Sequence, residues 1–143
     1  MTMTATRANA MGAPGYSETL QCEPEAARRA RLLVTAALHT WRLGDLTDAS
    51  RLIVSELVSN AIDHTRCRLV RITVGLVGEG RVRIAVADKS RAAPALRGPG
   101  VSSETGRGLL LVNALSHRWG YDRHRWGKVV WAELRLKAEE PKA

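Results

Sequence analysis

Two alternating runs, Arg68–Val77 and Arg81–Ala87, are separated only by Gly78-Glu79-Gly80, and this pairing limits the fold more than any other feature. Leu69, then Ile72, Val74 and Leu76, supply the apolar positions of the first run, with Arg71 between; Val82, Ile84 and Val86 supply those of the second. Runs of period two joined by a glycine-bounded turn predict a β-hairpin. Basic residues fall on the outward positions, so the sheet has one buried face, and the rest of the chain must cover it.

Helical spacing supplies that cover. Pro24 suits a first helical turn, flanked by Glu23 and Glu25 at its positive end. Ala26, Ala30, Leu33, Val34, Ala37, Leu38 and Trp41 then recur along one face, with Gly44 as the stop. A second helix opens at Leu46–Asp48, with Thr47 as N-cap, and runs to about His64. A third spans Gly106–His117. Tyr16–Cys22 reads as a first strand, and Trp119–His124 with Lys128–Leu136 as a closing hairpin around Trp126-Gly127. Segregated helices and largely antiparallel strands give an α+β fold with the sheet covered on one face. One domain over 16–136 follows, with a disordered start at 1–15 and a polar tail at 137–143.

The 143 residues include 22 Lys+Arg against 14 Asp+Glu, a formal charge of +8. Eighteen of the 22 basic residues are Arg, which suits bidentate grip on phosphate or carboxylate. The charge admits nucleic acid, nucleotide or an acidic protein and chooses none of them. Cys22 and Cys67 are two cysteines far apart without CxxC or Cys/His spacing, so neither a zinc module nor a disulfide scaffold is supported. No apolar run approaches the roughly 20 residues of a membrane span, and Met1–Gly15 lacks a secretory pattern, so the expected compartment is the cytoplasm.

Three segments could carry chemistry. On the second helix Glu56, Asn60 and His64 step by four along one ridge beside the apolar face. A carboxylate can deprotonate a hydroxyl, and a carboxamide oxygen can hold Mg²⁺. The same spacing belongs to any amphipathic helix with a wet side, and periodicity alone favours that reading. Asp88 ends an apolar strand, where it can accept a hydrogen bond from a ligand or simply form a turn. Gly106-Arg107-Gly108-Leu109 opens a helix after Lys89–Thr105, seventeen residues without periodicity. A long segment closing on a helix N-terminus describes a lid over phosphates. His39, His117 and His124 read as structural or surface residues, Cys67 as a buried thiol, and Arg28, Arg29 and Arg31 as a solvated face.

In this order and spacing the three segments resemble the ATP-binding domain of the GHKL superfamily, which includes gyrase, histidine kinases and MutL. The resemblance is greatest to bacterial anti-sigma-factor serine kinases of the RsbW type and covers roughly Tyr16–Leu136. Glu56 to His64 resembles the family's N box, Asp88 its G1 acid, and Gly106–Leu109 on to Trp119-Gly120 its G2 box and the segment beyond. The resemblance implies a two-layer, Bergerat-type fold with a mixed, mostly antiparallel sheet under three helices. It implies that Asp88, with Ser90 beside it, receives the adenine amino group and that Asn60 coordinates Mg²⁺. Glu56 would be the base, and Gly106, Arg107, Gly108 and Leu109 would hold the phosphates of ATP. Lys89–Thr105 would be the lid. The implied partners are a STAS anti-anti-sigma protein phosphorylated on serine or threonine, a sigma factor held inactive, and a second copy in a homodimer. The Arg28–Arg31 cluster would then be a docking face for an acidic protein.

Two positions depart from the pattern. Ser90 stands where the G1 box has glycine, and Asp63 puts a carboxylate one turn beyond Asn60. Both favour an alternative, a nucleotide-dependent protein-binding module without phosphate transfer. A nucleic-acid binder lacks support, since Phe is absent and Tyr scarce. A detached histidine-kinase domain would need a dimerisation helix with an acceptor His, for which the chain has no room.

Overall fold

The hairpin at Gly78–Gly80 lies in the middle of the sheet. The computed structural model describes residues 7–8, 14–64, 68–90 and 103–136. The strands are β1 (Arg7–Ala8), β2 (Pro14–Gln21), β3 (Leu69–Gly78), β4 (Arg81–Asp88), β5 (Arg118–His124) and β6 (Gly127–Arg135). They are ordered β1-β2-β3-β4-β6-β5, and every neighbouring pair is antiparallel.

The expected α+β architecture is present, with one correction: the sheet is not mixed among the described residues. The connections explain this. Helices α1 (Glu25–Thr40) and α2 (Thr47–His64) form an out-and-back pair, so β3 runs antiparallel to β2. The single helix α3 (Ser103–Leu115) leaves β5 running in the direction of β4, but β6 is inserted between the two.

All three helices cover the same face. α1 packs on β2 and β3, α2 on β4 and β6, and α3 against α2 and β5. Leu33, Val34, Ile53, Leu57 and Val58 from the helices meet Ile72, Val74, Ile84, Val86 and Ala132 from the sheet in one core. Removal of this apolar area from water is the main stabilising term, at about 25 cal/mol per Å².

Element boundaries before β3 differ from expectation in three places. α1 ends before Gly44. Arg42 takes the left-handed conformation (φ 58°), the Leu43 N–H donates to Leu38 O, and the Arg42 N–H donates to His39 O. This Schellman pattern places Leu43 and Leu38 in the core. Thr47 is not a cap but the first residue of α2, because a 3₁₀ turn over Gly44–Leu46 leads into it. At the N-terminus, Arg7 and Ala8 pair with Gly15 and Pro14, so the sheet starts before the expected boundary at residue 16. An edge strand's unpaired backbone groups take such a partner readily.

The opposite face of the sheet carries the alternate residues of each strand, Trp131 and Glu133 of β6 among them. Arg83 and Arg118 both bond the carboxylate of Glu133, and both guanidinium groups lie against the ring of Trp131.

Candidate functional site

The apolar stripe of α2 fixes where its polar ridge lies. Ile53, Val54, Leu57, Val58 and Ala61 are buried against the sheet, which sets Glu56 and Asn60 one turn apart at the border of that stripe. Asn60 is only 7% exposed, a burial that an ordinary wet helix face would not give it. Glu56 is half-buried, and burial raises its carboxyl above the usual glutamate value. A carboxylate so shifted is a better proton acceptor. Asp63 is exposed. The His64 side chain, Thr65, Arg66 and Cys67 lie outside the described residues.

Asp88 belongs to β4 rather than to the turn after it. The buried series Val82, Ile84, Val86 continues to Asp88, so the carboxylate occupies a core-facing position. The Ser90 N–H donates to Asp88 Oδ1 at 2.7 Å, an Asx-type contact that holds the strand end. Lys128, its cross-strand partner on β6, places Nζ 3.4 Å from each carboxylate oxygen. Both side chains are essentially buried, at 2% and 1% exposure. Among the described residues, nothing donates a hydrogen bond to Oδ2. A buried, unsatisfied carboxylate oxygen costs free energy unless something donates to it.

Lys128 is the residue that sequence reasoning missed at this site. Its signal was parity: Lys128 alternates with Val130, Ala132 and Leu134, all buried, so a lysine stood on the core side of its strand. Gly127 makes the approach possible, because a Cβ there would lie 2.0 Å from the Asp88 carbonyl oxygen.

The phosphate segment needs correction. α3 begins at Ser103, three residues before the expected start, so Gly106, Arg107 and Gly108 have helical backbone. Only first-turn amides of a helix are unpaired, which moves the free N–H groups to the region of Ser103–Thr105. Leu109 is fully buried. The Arg107 side chain lies outside the described residues. Of the expected lid, Lys89 and Ser90 follow β4, residues 91–102 lie outside the described set, and Ser103–Thr105 are helix.

Arg28 pairs with Glu25 at 2.9 Å, and Arg31 donates to Ser55 Oγ of α2 at 3.0 Å. His39 and His117 are exposed, and His124 stacks on Trp126. No group of three or more His, Cys, Asp or Glu able to hold a metal occurs among the described residues. No described helix is long and apolar enough to cross a membrane.

A carboxylate acceptor at a strand end, with a buried carboxamide and a raised glutamate on the covering helix, suits a nucleotide. Comparison with known proteins agrees: the model of the histidine kinase-like ATPase domain matches residues 20–134. The chain belongs to that family. This histidine kinase-like ATPase domain is therefore an ATP-binding, kinase-like module. It is 39% identical over 85 residues to the uncharacterized protein SCO4941 of Streptomyces coelicolor, an alignment covering 56% of this chain and 79% of that protein. Its fold is similar to a crystal structure of the RsbU and RsbW domains of Rv1364c from Mycobacterium tuberculosis. That match has a TM-score of 0.62 at 21% identity and covers 87% of this chain. The chain spans about a third of that protein's chain, 33%.

Proposed function

We propose that this ATPase-family domain is a cytoplasmic protein serine/threonine kinase that phosphorylates a STAS anti-anti-sigma partner, holds a sigma factor inactive, and works as a homodimer. The observation that carries the reading is the buried Asp88 Oδ2, which accepts no hydrogen bond among the described residues, at the end of a strand covered by the helix that bears Glu56 and Asn60.

In this reading Asp88 Oδ2 accepts a hydrogen bond from the adenine amino group, while Ser90 N–H keeps the carboxylate in place. The phosphates lie towards the N-terminal end of α3, whose first-turn amides and dipole favour negative charge. The donor set fits Mg²⁺ in its usual form, one protein oxygen from Asn60 with the remainder from phosphates and water. The ion, when bound, neutralises charge on the β- and γ-phosphates. Glu56 takes the proton of the partner's serine or threonine hydroxyl as its oxygen bonds to the γ-phosphorus. The bond from that phosphorus to the bridging β–γ oxygen breaks, and ADP leaves.

A second reading, a nucleotide-dependent binding module without transfer, draws on one observation: the Gly106 and Gly108 backbone is helical and offers no free amides. One experiment separates the two. With γ-labelled Mg-ATP and candidate STAS proteins, the kinase labels its partner, and Glu56→Gln and Asn60→Ala abolish the label. ATP binding with no transfer to any partner supports the module.

A further inference from the structure

The buried lysine at the nucleobase end of the site has no part in the phosphoryl-transfer scheme. Lys128 is among the largest fully buried side chains, and Asp88 is the ionic partner that its ammonium has among the described residues. Burial of an ammonium and a carboxylate together is weak evidence for stability, since an apolar pair of similar volume often does as well. The pair therefore asks for another explanation.

Its geometry supplies one. Asp88 has two oxygens with different surroundings. Oδ1 is held by the Ser90 N–H at 2.7 Å and by Lys128 Nζ at 3.4 Å. Oδ2 has the same ammonium at 3.4 Å but accepts no hydrogen bond. The carboxylate is thus held by the Ser90 N–H on one oxygen and by an ammonium equidistant from both, and Oδ2 is the oxygen left without a hydrogen-bond donor among the described residues. The register pairing of Asp88 with Lys128, and the close approach that Gly127 permits, fix this arrangement in the sheet itself.

We propose that Lys128 is a positioning residue for nucleobase recognition: by pinning Asp88 from β6 it leaves Oδ2 as the carboxylate oxygen without a hydrogen-bond donor, so the site selects a base that presents an exocyclic amino group. The proposal rests on the reading of Asp88 as the base acceptor. A site built around an unpaired acceptor rejects an analogue lacking the donor, because its buried oxygen then stays unsatisfied. Lys128 makes that rejection sharp by preventing the carboxylate from turning to find another partner.

The test is equilibrium binding of Mg-ATP and of purine riboside triphosphate, which lacks the 6-amino group, followed by calorimetry. The full chain binds ATP about tenfold or more tightly than the analogue, the value of one charged hydrogen bond. Lys128→Met lowers ATP affinity and brings that ratio towards one, whereas loss of packing alone would weaken both ligands equally. Because Lys128→Met leaves a buried carboxylate without its cation, a second variant guards against misfolding. The neutral pair Asp88→Asn with Lys128→Met keeps an acceptor for the Ser90 N–H and puts an amide donor where Oδ2 was, so it prefers inosine triphosphate to ATP. An unchanged ratio in folded Lys128→Met, or a double variant that still prefers ATP, overturns the proposal. If the parent itself fails to distinguish ATP from the analogue, the reading of Asp88 fails first, and the role of Lys128 falls with it.

Discussion

Trp131 lies across Gly120, its cross-strand partner: a Cβ on Gly120 would stand 2.9 Å from the indole Cζ2. The ring is held there between Arg83 at 4.5 Å and Arg118 at 5.6 Å from its centroid. Glycine inside a strand is ordinarily unfavourable relative to alanine, so the contact and not backbone preference explains residue 120. Gly120→Ala should cost about 1 kcal/mol or more by displacing the ring. In a Trp131→Ala background the same change should stabilise by about 0.5–1 kcal/mol. A double-mutant cycle by urea denaturation reads the reversal of sign.

Glu133 should set the acid limb of stability. Burial raises its carboxyl, but hydrogen bonds from Arg118 and Arg83 and their charges prevail and hold it below the ordinary value. A folded-state value below the unfolded one means stability present above the ordinary glutamate range and lost as pH falls through the folded value. Glu133→Gln should cost about 1 kcal/mol at pH 7, since both arginines are substantially exposed and screened. The difference from the parent should shrink towards pH 3 in denaturant titrations.

Glu56 should show the opposite sign. Burial raises its carboxyl, so the fold disfavours the charged form and gains stability when the group is protonated. Glu56→Gln should therefore leave the melting temperature at pH 7 unchanged or higher. It should lower phosphate transfer by about 10²–10⁴-fold, the usual worth of a general base. Parent activity should fall with acid through a midpoint above the ordinary glutamate value.

Gly127 should tolerate no side chain. The Cβ of alanine would meet the Asp88 carbonyl oxygen at 2.0 Å and Lys89 Cα at 2.6 Å, both backbone atoms that cannot swing away. Gly127→Ala should cost about 3 kcal/mol or more and weaken ATP binding through displacement of Asp88. Thermal melting and calorimetry on the same samples check both effects.

Arg42 should accept glycine with a gain. Its left-handed φ of 58° is a position where L side chains are strained, and it caps α1 through backbone groups alone. Arg42→Gly should stabilise by about 0.5–1 kcal/mol, read as a shift in urea midpoint.

Much of the architecture was legible because it follows from period. The alternation of Val82, Ile84 and Val86, and the helical recurrence from Ala26 to Leu38, each required one buried face, and each has it. Glu56 and Asn60 were legible as one ridge for the same reason. Helix ends were less so. Gly44 and Gly106 both looked like boundaries, yet Arg42 closes α1 and Ser103 opens α3. Terminal turns are decided by a few backbone hydrogen bonds, which local composition specifies weakly.

The sequence by itself determined the two layers, the polar ridge of α2 and an acid at the end of β4, because these depend on spacing within one element. Only the tertiary structure decided that Asp88 points into the core, that Lys128 comes from β6 to meet it, and that Glu133 gathers Arg83 and Arg118 on the open face. Those contacts join strands distant in the chain, and their register is fixed only when the whole sheet assembles.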